Sequence, residues 1–361
     1  MKKNIIIATG GTGGHVFPAM SLAKTFLDNG YNVLVTTDKR GEKFFTNSNL
    51  KYKVIDTGAS ITNIKSVMNI CKGVFQSICL MFRFKPSAVI GFGSYATLPT
   101  LIAGKLFCKP IFLHEGNAFV GKINKLFLWS AVNIFTTFQE IYGINIEYSS
   151  KISFAGTIVR DDIKQYYNEI YKYPTDGNFN ILITGGSGGA SFFSNEFIKT
   201  FEFINDDLRK KIKVIHQVKT EDELKTVEKF YANHNIKSEV KTFFNDMPQR
   251  MLNSDLIVCR SGIGTIGEIS FIGRPCIMIP SPNVANNHQL YNAKFYNKNS
   301  ACVLVEEGTF IAKSFAKEFE KLLVNKDVME DLAKNIKSMA TVDSNDKIFT
   351  TINDYLLNKD M

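Results

Sequence analysis

No two of the six cysteines form a Cys-x-x-Cys pair, and none stands beside a histidine cluster. That speaks against zinc frameworks and disulfide scaffolds. Cys71, Cys79, Cys108, Cys259, Cys276 and Cys302 are all expected instead to be small buried apolar side chains in a reducing cytosol. There is no Gly-x-x-x-x-Gly-Lys-Ser/Thr loop, which argues against a Walker-type triphosphatase. No stretch approaches the roughly 18 apolar residues that cross a bilayer, so a soluble or peripheral protein is expected. The opening Met1–Gly11 has a charged tip and a short apolar run before glycines, which reads as a first strand and not as a signal peptide. Acidic residues are missing altogether from Thr57 to His114, where Lys65, Lys72, Arg83, Lys85, Lys105 and Lys109 are present.

The charge is uneven over the whole chain. Residues 1–160 hold 18 Lys and Arg against 7 Asp and Glu, whereas residues 161–361 hold 25 against 27. The first half should attract an anionic surface and the second should not. Aromatic and basic residues are not interleaved as in RNA or single-strand binding modules, so nucleic acid is not an expected partner.

Short apolar runs alternate with helical stretches throughout. Ile5–Ala8, Asn32–Thr36, Ala88–Ile90, Ile111–Leu113, Ile134–Thr136, Asn180–Ile183, Lys213–Ile215, Leu256–Cys259 and Cys276–Ile279 read as buried strands. The alternation predicts an α/β fold with parallel sheets covered by helices. IIIATGGTGGH at 5–15 is echoed by NILITGGSGGA at 180–190. Two similar domains are expected, 1–160 and 161–344, with a linker around 160–178. The last helix, 345–361, is placed with the first domain.

Three glycine loops follow strands. Gly10–His15 allows close backbone approach, and Pro18 suits the first turn of the helix that follows. Gly185–Gly189 repeats the device. Arg260–Glu268 (RSGIGTIGE) follows a strand and opens a helix. Each is either a tight strand–helix turn or an anion site at a helix N-terminus. Glu268, a turn into its helix, either complements the dipole or accepts hydrogen bonds from ribose hydroxyls.

These loops belong to a longer ordered set: GGTGGHVFPA at 10–19, GFGSYATLP at 91–99, HEGN at 114–117 followed by KINK at 122–125, GTIVR at 156–160, GGSGGAS at 185–191, HQ at 216–217, FFNDM at 243–247, CRSGIGTIGE at 259–268 and HQLYNA at 288–293. The chain resembles the MurG family over nearly its whole length. Those enzymes transfer N-acetylglucosamine from UDP-N-acetylglucosamine to undecaprenyl-pyrophosphoryl-N-acetylmuramoyl pentapeptide. The resemblance implies the GT-B architecture, two Rossmann-like domains with the active site between them. It implies that Thr12, Gly13, Gly14, Asn117 and Arg160 border the donor, that Ser187 lies by the diphosphate, and that the main chain of Phe244 meets the uracil edge. Ile263, Gly264, Thr265, Ile266, Gly267 and Glu268 would enclose phosphate and ribose, and Gln289 would contact the sugar. Departures from the family pattern are Gly188 for Gln, Thr157-Ile158 for Asn-Pro, Gly116 for Gln, His288 for Gln and Gly264 for Leu.

His15 is the expected general base, with Glu115 and Tyr95 as lesser candidates near the acceptor. No Asp-x-Asp pair is present, so helix N-termini, Ser187 and Arg160 would have to offset the diphosphate charge, and no metal or other cofactor is expected. The implied partners are the UDP-sugar, the lipid-linked acceptor and an anionic membrane, and the implied place is peripheral, at the cytoplasmic face of the inner membrane. In residues 64–85 one helical stripe (Ile64, Val67, Met68, Cys71, Val74, Phe75, Ile78, Cys79, Phe82) reads as core. Ile70, Leu80, Met81 and Phe84 lie off it, and with Phe75, Lys72, Arg83 and Lys85 they form the expected docking surface. The rival from another enzyme class is a nicotinamide-dependent dehydrogenase, with Asp38 as its ribose-binding acid.

Overall fold

Seven parallel strands make the first sheet of the computed structural model, which describes residues 3–58, 63–186 and 188–360. They are β1 (Asn4–Ala8), β2 (Asn32–Thr37), β3 (Tyr52–Val54), β4 (Ala88–Gly91), β5 (Ile111–Glu115), β6 (Asn133–Thr136) and β7 (Ile152–Phe154), in the order β3-β2-β1-β4-β5-β6-β7. A second sheet joins β8 (Phe179–Thr184), β9 (Ile212–Gln217), β10 (Lys237–Lys241), β11 (Leu256–Cys259), β12 (Cys276–Met278) and β13 (Val303–Leu304), in the order β10-β9-β8-β11-β12-β13. Every pairing is parallel. The chain divides into one unit of Met1–Arg160 with Thr341–Met361, and another of Asp161–Ala340.

Burial on both faces explains the continuous apolar strands. In β1, Ile5 and Ile7 pack with Val16, Leu22 and Phe26 of helix α1 (Gly13–Asp28). Ile6 points the other way, toward Val89, Leu101 and Leu113. The C-terminal helix Ser344–Asp360 joins the α1 side through Ile348, Ile352 and Leu356. Its Phe349 ring meets Phe26 at 5.1 Å and Tyr31 at 5.8 Å. In the second unit Phe193, Phe197, Phe201, Phe315 and Phe319 pack over β8, β9 and β11.

Pro18 is the sixth residue of α1 and not part of its first turn. The helix begins earlier, at the glycines, because Thr12 in extended conformation turns the chain directly into it. Pro18 then has no N–H for the Gly14 carbonyl one turn back.

Helix α2 (Ile64–Phe84) corrects two expectations. With 21 residues it is long and apolar enough, by length and composition, to cross a membrane. The two faces are also exchanged. Ile70 and Met81, read as docking residues, are core at 9% and 1% exposure. Of the stripe read as core, Ile64, Val67, Met68, Cys71, Phe75 and Phe82 are exposed, Phe75 having also been placed among the docking residues, while Val74 and Ile78 are half-buried against the core. Cys108 is exposed as well, so Cys71 and Cys108 depart from the burial expected of the cysteines. Close approach decided the face. Gly73 lies against the Asp56 carbonyl so tightly that a Cβ would overlap it, with Pro99 3.0 Å away. Ser77 sits 3.4 Å from Thr100 of helix α3 (Leu98–Leu106). The stripe of small residues lets α2 lie close to α3, and the bulky stripe is turned outward. Leu80 and Phe84 are half-buried, while Arg83 and Lys85 are exposed. Exposed Lys72 pairs with Asp56 at 2.8 Å.

Candidate active site

In the first unit three loops meet at the carboxyl ends of adjacent strands β1, β4 and β5, where open α/β sheets bind ligands. Gly10 is pressed between other parts of the fold. A Cβ there would lie 2.5 Å from that of Ala96 and 2.7 Å from Asp38 Oδ1. The Asp38 carboxylate accepts from the N–H of Gly11 at 2.9 Å, from that of Gly41 at 3.0 Å and from Arg40 Nε at 2.7 Å. This buried acid is therefore engaged in shaping the glycine loop, which removes the ribose role given it in the dehydrogenase reading. The β4 loop bends through consecutive left-handed residues, Gly93 (φ 67°) and Ser94 (φ 68°). A Cβ on Gly93 would meet the His15 ring at 3.6 Å and Asn124 Nδ2 at 3.4 Å. These are ordinary contact distances, so the imidazole lies directly against this turn, and it is the positive φ that calls for glycine.

Glu115 closes the β5 loop. Its Oε1 accepts from the N–H of Asn117 at 3.0 Å and from Asn117 Nδ2 at 3.4 Å. Its Oε2 accepts from the N–H of Gly121 at 2.8 Å and from Asn124 Nδ2 at 2.9 Å. Burial holds the carboxyl above its ordinary value, and these donors offset only part of that rise. At 2% exposure with both oxygens engaged, it organises a loop and does not face a substrate as a base. Its neighbour His114 is stacked on Phe92 at 4.7 Å. Burial, with a smaller contribution from His15, holds His114 down at about 3, so it is neutral.

His15 itself is half-buried, in the first turn of α1. Thr12 is exposed, Gly14 is half-buried, and Gly13 packs on Phe17. The Arg160 guanidinium lies 5.4 Å over the Phe17 ring, beside the same loop. Tyr95 is half-buried after the Ser94 bend, its carbonyl accepting from Thr57 Oγ1 at 2.7 Å.

In the second unit the loops after β8, β11 and β12 converge. Helix Ile263–Ile272 starts from Gly262 with no side-chain cap, so the N–H groups of its first turn are offered outward. Thr265 Oγ1 is 3.3 Å from where Gly186 would carry a Cβ, which joins the β8 loop to that helix. Around Gly188, Gly262 and Gly264 a Cβ would find nothing within 4 Å. Ile263, Ile266 and Gly267 are buried, which leaves main chain at the helix start, and Glu268 is half-buried one turn on. Gln289 is partly committed, since its Oε1 accepts from the N–H of Ser281 at 2.9 Å. The Phe244 ring is buried beneath Arg250 at 4.8 Å, so only its main chain is available to a base. Ser187 lies outside the described residues. Among those residues, no group of three or more His, Cys, Asp or Glu could hold a metal ion.

The structure adds residues that the sequence reading passed over: Asp38 as loop organiser, His114 and Asn124 beneath the first-unit site, and exposed Phe243 beside Phe244. It also adds Leu106, Leu126 and Trp129, all exposed, with Lys105 Nζ 4.5 Å over the Trp129 ring. Lone apolar residues among lysines gave no periodic signal.

Two parallel-sheet Rossmann-like units with glycine loops at their carboxyl ends define the GT-B class of glycosyltransferases. Over 98% of this chain and 99% of the other, the structure is similar to that of Acinetobacter baumannii MurG, with a TM-score of 0.79 and 24% identity. A Staphylococcus aureus MnaA–UDP structure is similar with a TM-score of 0.73 and 16% identity, over 99% of this chain and 97% of the other. Residues 5–136 match the glycosyltransferase family 28 N-terminal domain and residues 180–348 the C-terminal domain. The chain is 31% identical to the UDP-N-acetylglucosamine–N-acetylmuramyl-(pentapeptide) pyrophosphoryl-undecaprenol N-acetylglucosamine transferase of Rickettsia akari (strain Hartford), covering 92% of this chain and 94% of that one. It is 34% identical to the transferase of the same name from Wolbachia sp. subsp. Drosophila simulans (strain wRi), over 92% and 93%. The chain belongs to glycosyltransferase family 28, in its MurG branch.

Proposed function

We propose that the protein moves N-acetylglucosamine from UDP-N-acetylglucosamine to the 4-hydroxyl of undecaprenyl-pyrophosphoryl-N-acetylmuramoyl pentapeptide, with inversion, in peptidoglycan synthesis. The observation that carries this reading is 31–34% identity over 92% of the chain to transferases named for that reaction. The nucleotide rests on the second domain. The first-turn N–H groups at Ile263, Gly264 and Thr265, together with Ser187, hold the diphosphate, and Ile266 and Gly267 keep that turn close-packed beneath it. Glu268 accepts from the ribose hydroxyls, the Phe244 main chain reads the uracil edge, and Gln289 meets the sugar. The resemblance assigns Thr12, Gly13, Gly14, Asn117 and Arg160 of the first domain to the donor as well.

The acceptor hydroxyl attacks the anomeric carbon, its proton passes to the His15 imidazole, and UDP leaves with the bonding pair. An imidazole ordinarily titrates near neutrality, which suits proton uptake there. Tyr95 lends polar help to the acceptor, while Glu115 acts only through the loop it holds. UDP-N-acetylglucosamine is a substrate, and no bound metal is needed when main-chain dipoles, Ser187 and Arg160 offset the leaving charge. Activity insensitive to EDTA is expected, and loss with EDTA reversed by Mg²⁺ would count against this.

The exposed face of α2, with Phe75, Lys72, Arg83 and Lys85, half-buried Leu80 and Phe84 at its border, and the Leu106, Leu126 and Trp129 patch, docks the enzyme on anionic lipid. Each basic residue near such a surface is worth about 1 kcal/mol. The enzyme would then sit peripherally at the cytoplasmic face of the cytoplasmic membrane. Incubation with both substrates should release UDP and form the disaccharide-linked lipid. If no UDP appears with this pair while another UDP-sugar turns over, the donor assignment is wrong.

A further inference from the structure

Asn124 is the third residue of helix α4 (Lys122–Phe127) and is wholly buried. Its Nδ2 donates to the His114 carbonyl at 2.9 Å and to Glu115 Oε2 at 2.9 Å. The same nitrogen lies against the Gly93 turn, whose other neighbour is the His15 ring. One amide thus touches the β4 loop and the β5 loop at the point where α1 presents its imidazole. Among the described residues, Asn124 Oδ1 and His114 Nε2 are buried without a hydrogen-bond partner. An orphaned buried polar atom costs roughly 1–3 kcal/mol. Tolerating two here is poor design for stability alone.

The partners fix the chemistry required at this position. Everything that touches the Glu115 oxygens is a donor. Both atoms that touch Asn124 Nδ2 are acceptors. Position 124 must therefore donate, and the four donors around Glu115 offset part of the burial that pushes its carboxyl up. We propose that Asn124 is a positioning residue for the transfer: by tying the Glu115 carboxylate and the His114 carbonyl together beneath the Gly93 turn, it sets the edge against which His15 and Asn117 are held. This rests on the functional reading above. The titratable groups facing the position are Glu115 and His114 from β5 and His15 from α1; Lys122 and Lys125 of α4 itself are exposed.

Asn124→Asp keeps the shape and removes the donor, placing a second carboxylate against two acceptors. Turnover should fall at least tenfold at pH 8 with the UDP-sugar KM within about twofold. Its rate relative to the unmutated enzyme should climb as the pH is lowered to 6, because the introduced carboxyl donates again once it is protonated. Asn124→Ala should lose a similar factor and show no such climb. Parallel pH profiles for the two variants, or unmutated turnover in Asn124→Asp, overturn the inference. Should Asn124→Asp fail to fold, Glu115→Gln decides: adding Asn124→Ala to it should cost no further turnover, and full additivity sinks the idea. No transfer by the unmutated protein would defeat the functional reading and this inference with it. Equal transfer by unmutated protein and variants would defeat the inference alone.

Discussion

Glycines carry the site's meaning at the scale of single residues. Gly10 is bare because neighbouring protein atoms leave no room for a side chain, and Gly93 because its φ of 67° strains any residue with a Cβ. Gly264 is bare with nothing near it, and a glycine inside a helix is unfavourable by roughly 0.5–1 kcal/mol against alanine. The family pattern has Leu at this place, and a Cβ here would meet nothing within 4 Å, so a side chain is compatible with the ligand. Gly264→Ala should therefore raise the melting temperature by a degree or more and leave UDP-sugar affinity within about twofold. A several-fold loss of affinity would show that the ligand needs the bare main chain there. His15→Ala should lower kcat by about 10²–10⁴-fold with little change in donor affinity. A near-native kcat would remove His15 from proton transfer. The loops bearing His15 and Glu268 were legible because glycines, a strand and a helix start stand together in sequence. Asp38 was misread, and Asn124 was seen only as part of a motif and given no role, because their partners, Gly11 and Glu115, are joined to them only by folding.

The elements that the sequence concealed share a position. β3, β7, β10 and β13 were not anticipated, and they are the four sheet edges. An edge strand is covered on fewer sides and can be short and polar, as Lys-Ser-Glu-Val-Lys in β10. Central strands such as β1 and β11 announce themselves because both faces are dry. Helix α2 failed for a different reason. Apolar count points to its bulky stripe, whereas its packing follows Gly73 and Ser77. Ile70→Ala should accordingly cost about 2–5 kcal/mol in denaturant unfolding. Phe75→Ser with Phe82→Ser should leave the unfolding midpoint nearly unchanged and reduce co-sedimentation with anionic liposomes. Undiminished lipid binding by that double variant would move the docking surface elsewhere.

For the whole molecule, two fully buried histidines set a limit on acid tolerance. His114 and His216 are both held at about 3 by burial, so each is neutral in the fold and takes a proton readily once unfolded. The unfolded chain then binds more protons between the ordinary value near 6.5 and 3. Stability is complete above pH 6.5 and falls as the pH drops, by about 1.4 kcal/mol per pH unit for each histidine. Urea midpoints at pH 7.5, 6.0 and 5.0 should decline in that order, in a range where ordinary carboxylates are still ionised. A flat series would show that the histidines are hydrated or paired in solution.

The chain leaves its first domain at Arg160 and returns to it only at Thr341. The second domain is thus one uninterrupted length of polypeptide, while the first waits for the helix that carries Ile348, Ile352 and Leu356. On the ribosome, at roughly 5–20 residues per second, the β1–β7 sheet would stand uncapped for some ten to forty seconds. The domain made first would be the last to mature, and a stop codon just before Thr341 would spare the second domain while leaving the first prone to aggregate.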